Sequence, residues 1–205
     1  VLEKQSTLIK SQFQANKLSW IKSFNSGLSQ DQDGDYLPWM TYPFIDYLSL
    51  KLNNQQVIFE YGCGSSTLFF ASKVSKVVAL ESNKLWYDII KQKLFDANIS
   101  NVELIYFDNA LQDNNYELFA SQYKEKFDLV IVDSLKRFAC ATNSINAIKT
   151  NGAIILDDSE RKNYRKIFDF FLNNDFIQKD FPGIAPGGLR TKNSTIFYKS
   201  NKFQY

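Results

Sequence analysis

Apolar residues along this chain fall into two rhythms, short continuous runs and longer helical spacings, and the order in which they alternate predicts a fold. Leu8, Ile9, Phe13, Trp20, Ile21 and Phe24, set among Lys, Gln and Ser, predict an amphipathic helix over Leu2 to Phe24 with a break near Lys17. A polar loop from Ser26 to Leu37 ends at Pro38-Trp39-Met40-Thr41-Tyr42-Pro43, and the apolar faces of Phe44, Ile45, Tyr47, Leu48 and Leu50 carry a second helix to Leu52. Buried strands are then predicted from Val57, over Lys76 to Leu80, Val102 to Phe107, Phe127 to Val132 and Ala153 to Leu156. Between them the spacing predicts helices over Ser65 to Lys73, Asn83 to Ala97, around Tyr116, Leu118 and Phe119, over Cys140 to Lys149 with Asn151-Gly152 as its stop, and over Ser159 to Leu172. The tail differs. Phe176 to Phe181 and Thr195 to Lys199 read as two strands with no helix between them, hence an antiparallel hairpin with a long loop from Pro182 to Arg190.

Strand and helix alternating, closed by one hairpin, predict an α/β fold with a mostly parallel, doubly wound sheet, helices on both faces and a reversed last strand. With 205 residues, 44% of them hydrophobic, a single domain over 1–205 is expected, with 1–55 as an N-terminal helical lid or extension and 56–199 as the core. The charge is balanced, 24 Lys and Arg against 22 Asp and Glu, which argues against a general nucleic-acid surface. The absence of His removes Ser-His triads and His-based metal sites, so a general base must be Asp, Glu, Lys, Tyr, Cys or water. Cys63 and Cys140 belong to no close-spaced motif, no apolar run approaches the roughly 20 residues needed to span a bilayer, and Val1 opens no signal-peptide pattern. A cytoplasmic protein without a membrane partner is the resulting expectation.

In a parallel sheet of this kind ligands bind outside the C-terminal ends of the strands. Residues at those ends are Glu60-Tyr61-Gly62-Cys63-Gly64-Ser65-Ser66-Thr67, Glu81 with Ser82, Asp108-Asn109, Asp133 and Asp157-Asp158. Gly62 and Gly64 allow a sharp turn and close approach of a ligand, and the helix start after them offers unpaired N–H groups. Glu81 lies where doubly wound folds bind ribose hydroxyls, or else it caps the following helix. Asp108-Asn109 reads equally as an adenine contact or as turn chemistry. A dinucleotide is the competing ligand, but Thr67 stands where its third glycine would be and Glu60 would repel a pyrophosphate.

These residues together resemble the class I S-adenosylmethionine-dependent methyltransferases. The resemblance rests on Glu60 to Thr67, Glu81, Phe127 to Asp133 and the terminal hairpin, and it spans Gln56 to Lys199. It implies a Rossmann-like seven-stranded sheet in the order 3-2-1-4-5-7-6 with strand 7 antiparallel. It also implies S-adenosylmethionine held by Glu60, Gly62, Cys63, Gly64, Ser66, Thr67, Glu81, Ser82, Asp108, Asn109 and Asp133, with the methionine end over the glycines and the ribose on Glu81.

The acceptor is less constrained. Asp133 with Asp157 and Asp158 is similar to the divalent-metal site of sugar and catechol O-methyltransferases, which implies Mg²⁺ on these three carboxylates. Without a metal, Asp133 faces the methyl group as base or anchor, and Asp157-Asp158 caps the next helix. Catalysis is expected from Asp133 and Lys136, and acceptor binding from Trp39, Tyr42, Arg137, Asp158 and Arg190, although Trp39 and Tyr42 read more readily as core or helix-packing residues and Arg137 and Arg190 equally as surface charges. Arg161, Lys162, Arg165 and Lys166 read as a solvated face. The acceptor expected is a small molecule, by analogy a sugar or glycan precursor methylated on oxygen, with N-methylation of an amine or a non-catalytic binding module as alternatives. The aromatic N-terminal helix is a candidate homodimer contact.

Overall fold

The computed structural model describes residues 2–108, 115–200 and 203. One seven-stranded sheet runs through the molecule in the order β3-β2-β1-β4-β5-β7-β6. Its strands are β1 (Val57–Tyr61), β2 (Lys76–Glu81), β3 (Val102–Tyr106), β4 (Phe127–Val132), β5 (Ile148–Leu156), β6 (Ile177–Ile184) and β7 (Thr191–Tyr198). The first five pair parallel, and β7 runs antiparallel to both β5 and β6. The helices are α1 (Leu2–Ala15), α2 (Lys17–Ser26), α3 (Tyr42–Lys51), α4 (Ser65–Ala71), α5 (Lys84–Asp96), α6 (Arg137–Asn143) and α7 (Arg165–Asn173).

Side chains alternate across a strand, so a continuous apolar run needs cover on both faces. The core divides accordingly. Ile58, Val77, Leu129, Ile131, Ile155 and Ile196 face one layer, with Phe44 and Leu48 of α3 and Phe69 and Phe70 of α4. Phe59, Tyr61, Leu80, Val130, Val132 and Leu156 face the other, with Cys140 of α6, Phe171 of α7 and Tyr116. No helix among the described residues is long and apolar enough to cross a membrane.

Several elements differ from the pattern-based expectation, the longest shifts arising where long-range pairing overrides local preference; the helix expected over Ser159 to Leu172 begins only at Arg165, after a 3₁₀ turn over Lys162–Tyr164. The helix expected over Cys140 to Lys149 lies over Arg137–Asn143 instead, since the carbonyls of Asn146 and Ala147 accept backbone N–H groups of Glu125, Lys126 and Phe127. Asn151-Gly152 therefore lies inside β5, where a Cβ on Gly152 would meet the Phe127 carbonyl at 3.0 Å. The helix expected around Tyr116 is two 3₁₀ turns, Tyr116–Leu118 and Ala120–Gln122. The hairpin is longer than expected, pairing Ile177 with Tyr198 through Ile184 with Thr191. Pro182 is tolerated inside β6 because β6 is an edge strand, and α1 covers that edge: Gln12 Nε2 donates to the Pro182 carbonyl (3.4 Å) and its Oε1 accepts from Ile184 N (3.2 Å).

Candidate functional site

The turn after β1 is built by short-range hydrogen bonds around one carboxylate. Glu60 points into the α3 and α4 side of the sheet and is 1% exposed. It accepts from the Ser66 hydroxyl and from Thr67 Oγ1 (2.6 Å), while Thr67 Oγ1 accepts from Gly64 N (3.0 Å). Burial pushes the Glu60 carboxyl up to about 8, the two hydroxyl bonds offsetting part of that rise. Gly62 has φ +94°, and a Cβ there would stand 2.9 Å from the Asp133 carbonyl oxygen. Only glycine suits that place. Cys63 follows, and burial next to Glu81 and Glu60 pushes its thiol above the ordinary range, which leaves it a poor nucleophile.

Glu81 closes the turn from the neighbouring strand. Its carboxylate accepts from Cys63 N (3.2 Å) and Asn83 N (2.7 Å), so it joins the glycine turn to the start of α5. The Asn83 side chain caps α5 by accepting from Trp86 N (3.0 Å), and Trp86 Nε1 donates to the Cys63 carbonyl at 2.5 Å. Trp86 thus leans over the turn.

A cleft of about 860 Å³ opens along this edge of the sheet. Gly62, Cys63, Glu81, Ser82, Asn83 and Trp86 line one half, and Asp133, Leu135, Lys136, Arg137, Phe138, Arg161, Asn163 and Tyr164 line the other. A larger set of turn and strand-end residues thus converges on one concave surface, as expected for a ligand site in an open α/β sheet. Another cavity, of about 730 Å³, lies by Tyr123, Asn146 and Lys149 at the opposite ends of the strands, away from this convergence.

The residues expected from sequence divide clearly. Gly62, Cys63, Glu81, Ser82, Asp133, Lys136 and Arg137 line the cleft; Glu60, Ser66 and Thr67 lie beneath it and shape the turn. Gly64 caps α4 beside Trp86 without lining the cleft itself. Asp108 follows β3 but does not line the cleft, and Asn109 lies outside the described residues. Trp39 and Tyr42 are not in the cleft either. Tyr42 is core, with its hydroxyl on Ser19 Oγ (3.0 Å), and Trp39 Nε1 donates to the Pro186 carbonyl (3.0 Å). The 182–190 stretch packs toward α1 and α2, a Cβ on Gly183 meeting Gln12 and one on Gly187 the Phe24 backbone, while Arg190 is exposed and does not line the cleft. Trp86, Leu135, Phe138, Arg161, Asn163 and Tyr164 were missed. Arg161 carried a signal that was misread, because a cation three residues beyond a strand-end Asp pair is within reach of it.

Asp133, Asp157 and Asp158 bring a carboxylate oxygen each to within 4.8 Å of one another, but they do not fit a metal as they stand. Arg137 Nη2 holds Asp133 Oδ1 (2.6 Å), and its Nη1 lies 3.4 Å from Asp158 Oδ2. Arg161 pairs with Asp158, and Lys192 pairs with both Asp157 and Asp158 (2.6 Å to the latter). Three acids are thus answered by three cations. Burial opposes the charge on Asp158, yet Lys192, Arg137 and Arg161 together hold it below the ordinary carboxylate range. Burial pushes Asp157 up, with the Lys192 ammonium opposing it.

No protein-family model matches the sequence, and no curated protein matches it significantly. Solved structures do resemble the fold. Precorrin-6y C5,15-methyltransferase from Geobacter metallireducens is 14% identical, with 86% of this chain and 96% of that one covered and a TM-score of 0.61. An rRNA methylase from Streptococcus thermophilus is 16% identical over 75% of this chain and 92% of its own, with a TM-score of 0.56. A protein from Streptococcus mutans assigned as a methyltransferase, solved in complex with SAH (S-adenosylhomocysteine), is 17% identical over 75% and 94%, with a TM-score of 0.54. The rRNA methylase overturns the exclusion of nucleic acid drawn from charge balance, since a chain of this same fold is named for RNA. Sheet order, reversed seventh strand and these neighbours agree: the chain has the fold of the class I S-adenosylmethionine-dependent methyltransferases.

Proposed function

We propose that this chain is an S-adenosylmethionine-dependent methyltransferase. The observation that carries the proposal is the position of Glu81, whose carboxylate accepts from the backbone of the Gly62-Cys63-Gly64 turn while lining the same cleft as Trp86 and Asp133. A cofactor laid across that turn would set its ribose on Glu81 and its methionine end by Gly62, with Glu60 beneath holding Ser66 and Thr67 in the turn. In the other half of the cleft, Asp133 is 36% exposed and is the carboxylate we assign to the acceptor's proton, with Lys136 steadying charge nearby. Alignment of nucleophile, methyl carbon and sulfur supplies much of the acceleration. No step is assigned to a metal.

For the acceptor we infer a hydroxyl of a sugar or glycan precursor. Arg161, Asn163 and Tyr164 offer hydrogen bonds beside the apolar Leu135 and Phe138, a pairing that suits a polyhydroxylated ring with one apolar face. A second reading has its own support: Arg161, Lys162, Arg165 and Lys166 are all exposed around Tyr164, which favours a phosphate-bearing acceptor such as RNA. Transfer of labelled methyl from S-adenosylmethionine to sugars, nucleotide sugars, amines and RNA separates these. Label in a sugar is the expected result, label in RNA that weakens with salt supports the second reading, and no transfer to any acceptor contradicts the reaction itself.

A further inference from the structure

Three carboxylates from two strand ends are, by number and chemistry, a donor set for a hard divalent cation. Here the oxygens of Asp157 and Asp158 are taken. Asp157, 1% exposed, gives one oxygen to Lys192 and accepts Ser194 Oγ (2.7 Å) on the other. Asp158 places Oδ1 on Lys192 (2.6 Å) and Oδ2 on Arg161. The Lys192 ammonium has three protons to donate, and the structure provides three oxygens for it: Asp157, Asp158 and the Trp39 carbonyl at 2.9 Å.

We propose that Lys192 is the resident cation of this cluster, its ammonium standing where a divalent metal would otherwise sit between Asp157 and Asp158. The topology explains how it gets there. β7 pairs antiparallel with β5 through Thr195 and Leu156, so Ser194 and Lys192, two and four residues before Ile196 on the same face, run past the end of β5 to the two aspartates. The Lys192 side chain is 16% exposed, and a metal entering from solvent would have to strand that ammonium without its counter-charges. Arg137 cannot take over both aspartates, because its Nη2 is committed to Asp133 and its other nitrogens to the carbonyls of Ser134 and Asp157. The residue at position 192 therefore decides whether this edge of the sheet holds a metal.

The test reads Mn²⁺ binding to the unliganded protein by titration calorimetry and by the Mn²⁺ spin-resonance signal. It needs neither cofactor nor acceptor, so it stands or falls apart from the proposed reaction. The wild-type chain is expected to leave Mn²⁺ free at millimolar concentration. Lys192→Ala is expected to bind one Mn²⁺ at least about tenfold more tightly, and Lys192→Ala with Asp157→Asn to lose that gain. Lys192→Met, which keeps the apolar stem, replaces Lys192→Ala if circular dichroism shows the latter unfolded. A wild-type chain that binds Mn²⁺ and loses it on Asp158→Asn overturns the proposal, as do folded Lys192 variants that bind no better than wild type.

Discussion

Glu60 concentrates the chemistry of the glycine turn in one side chain. Burial raises its carboxyl from 4.5 to about 8, so between those values the folded chain holds a proton that the unfolded chain releases. Its contribution to stability is therefore full below the unfolded value and is lost as the pH rises through about 8. Glu60→Gln removes this dependence while keeping the shape of the group. Melting curves between about pH 6 and pH 9 should fall less steeply for Glu60→Gln than for the wild type, and equal slopes would show that Glu60 is not the group responsible. Legibility at this scale follows distance along the chain. Glu60 and Glu81 sit in the last residues of their strands and Gly62 and Asp133 follow theirs directly, so finding the strand ends finds them. Lys192 and Tyr164 reach the same edge through pairing and packing that no local pattern records, and Tyr42 looked like a ligand contact because an aromatic before a strand has the same pattern whether it roofs a site or fills a core.

Among the elements, the turn between β1 and α4 separates two demands that look alike in sequence. Gly62 answers to the fold, with φ +94° and the Asp133 carbonyl 2.9 Å from any Cβ. Gly64 is extended, and a Cβ there finds nothing nearer than 3.9 Å, the nearest groups being Ser66 and the Trp86 ring that lines the cleft. Gly62→Ala should therefore lower stability by about 2 kcal/mol in thermal or urea melts. Gly64→Ala should melt like the wild type and weaken S-adenosylhomocysteine by about tenfold, or ~1.4 kcal/mol. A Gly64→Ala that melts below Gly62→Ala would reverse these roles. The strands with unbroken apolar runs, β2 and β4, lie where their patterns place them. β5 and the hairpin extend beyond theirs because Ile148 and Pro182 gain their places from partners, Phe127 across the sheet and Gln12 across the edge.

At the scale of the whole molecule, a mostly parallel sheet closed by a reversed strand was readable from the alternation of strands and helices together with the hairpin, and so was the edge that carries the site; the strand order came from the resemblance to the methyltransferases, not from the pattern. The division of the cleft was not, because its acceptor half joins the end of β4 to the segment before α7. The N-terminal helices pack on the β6–β7 hairpin, where Trp20 Nε1 donates to the Gly188 carbonyl (2.9 Å), and among the described residues they contribute no side chain to the cleft. The proposed cofactor and acceptor halves therefore both lie on the central sheet, and binding of S-adenosylhomocysteine alone is the most direct test of the proposed function. Titration calorimetry with S-adenosylhomocysteine should give one site per chain, with Glu81→Ala binding at least about tenfold more weakly. Absence of binding to the folded wild-type chain, or binding that Glu81→Ala leaves unchanged, would contradict it.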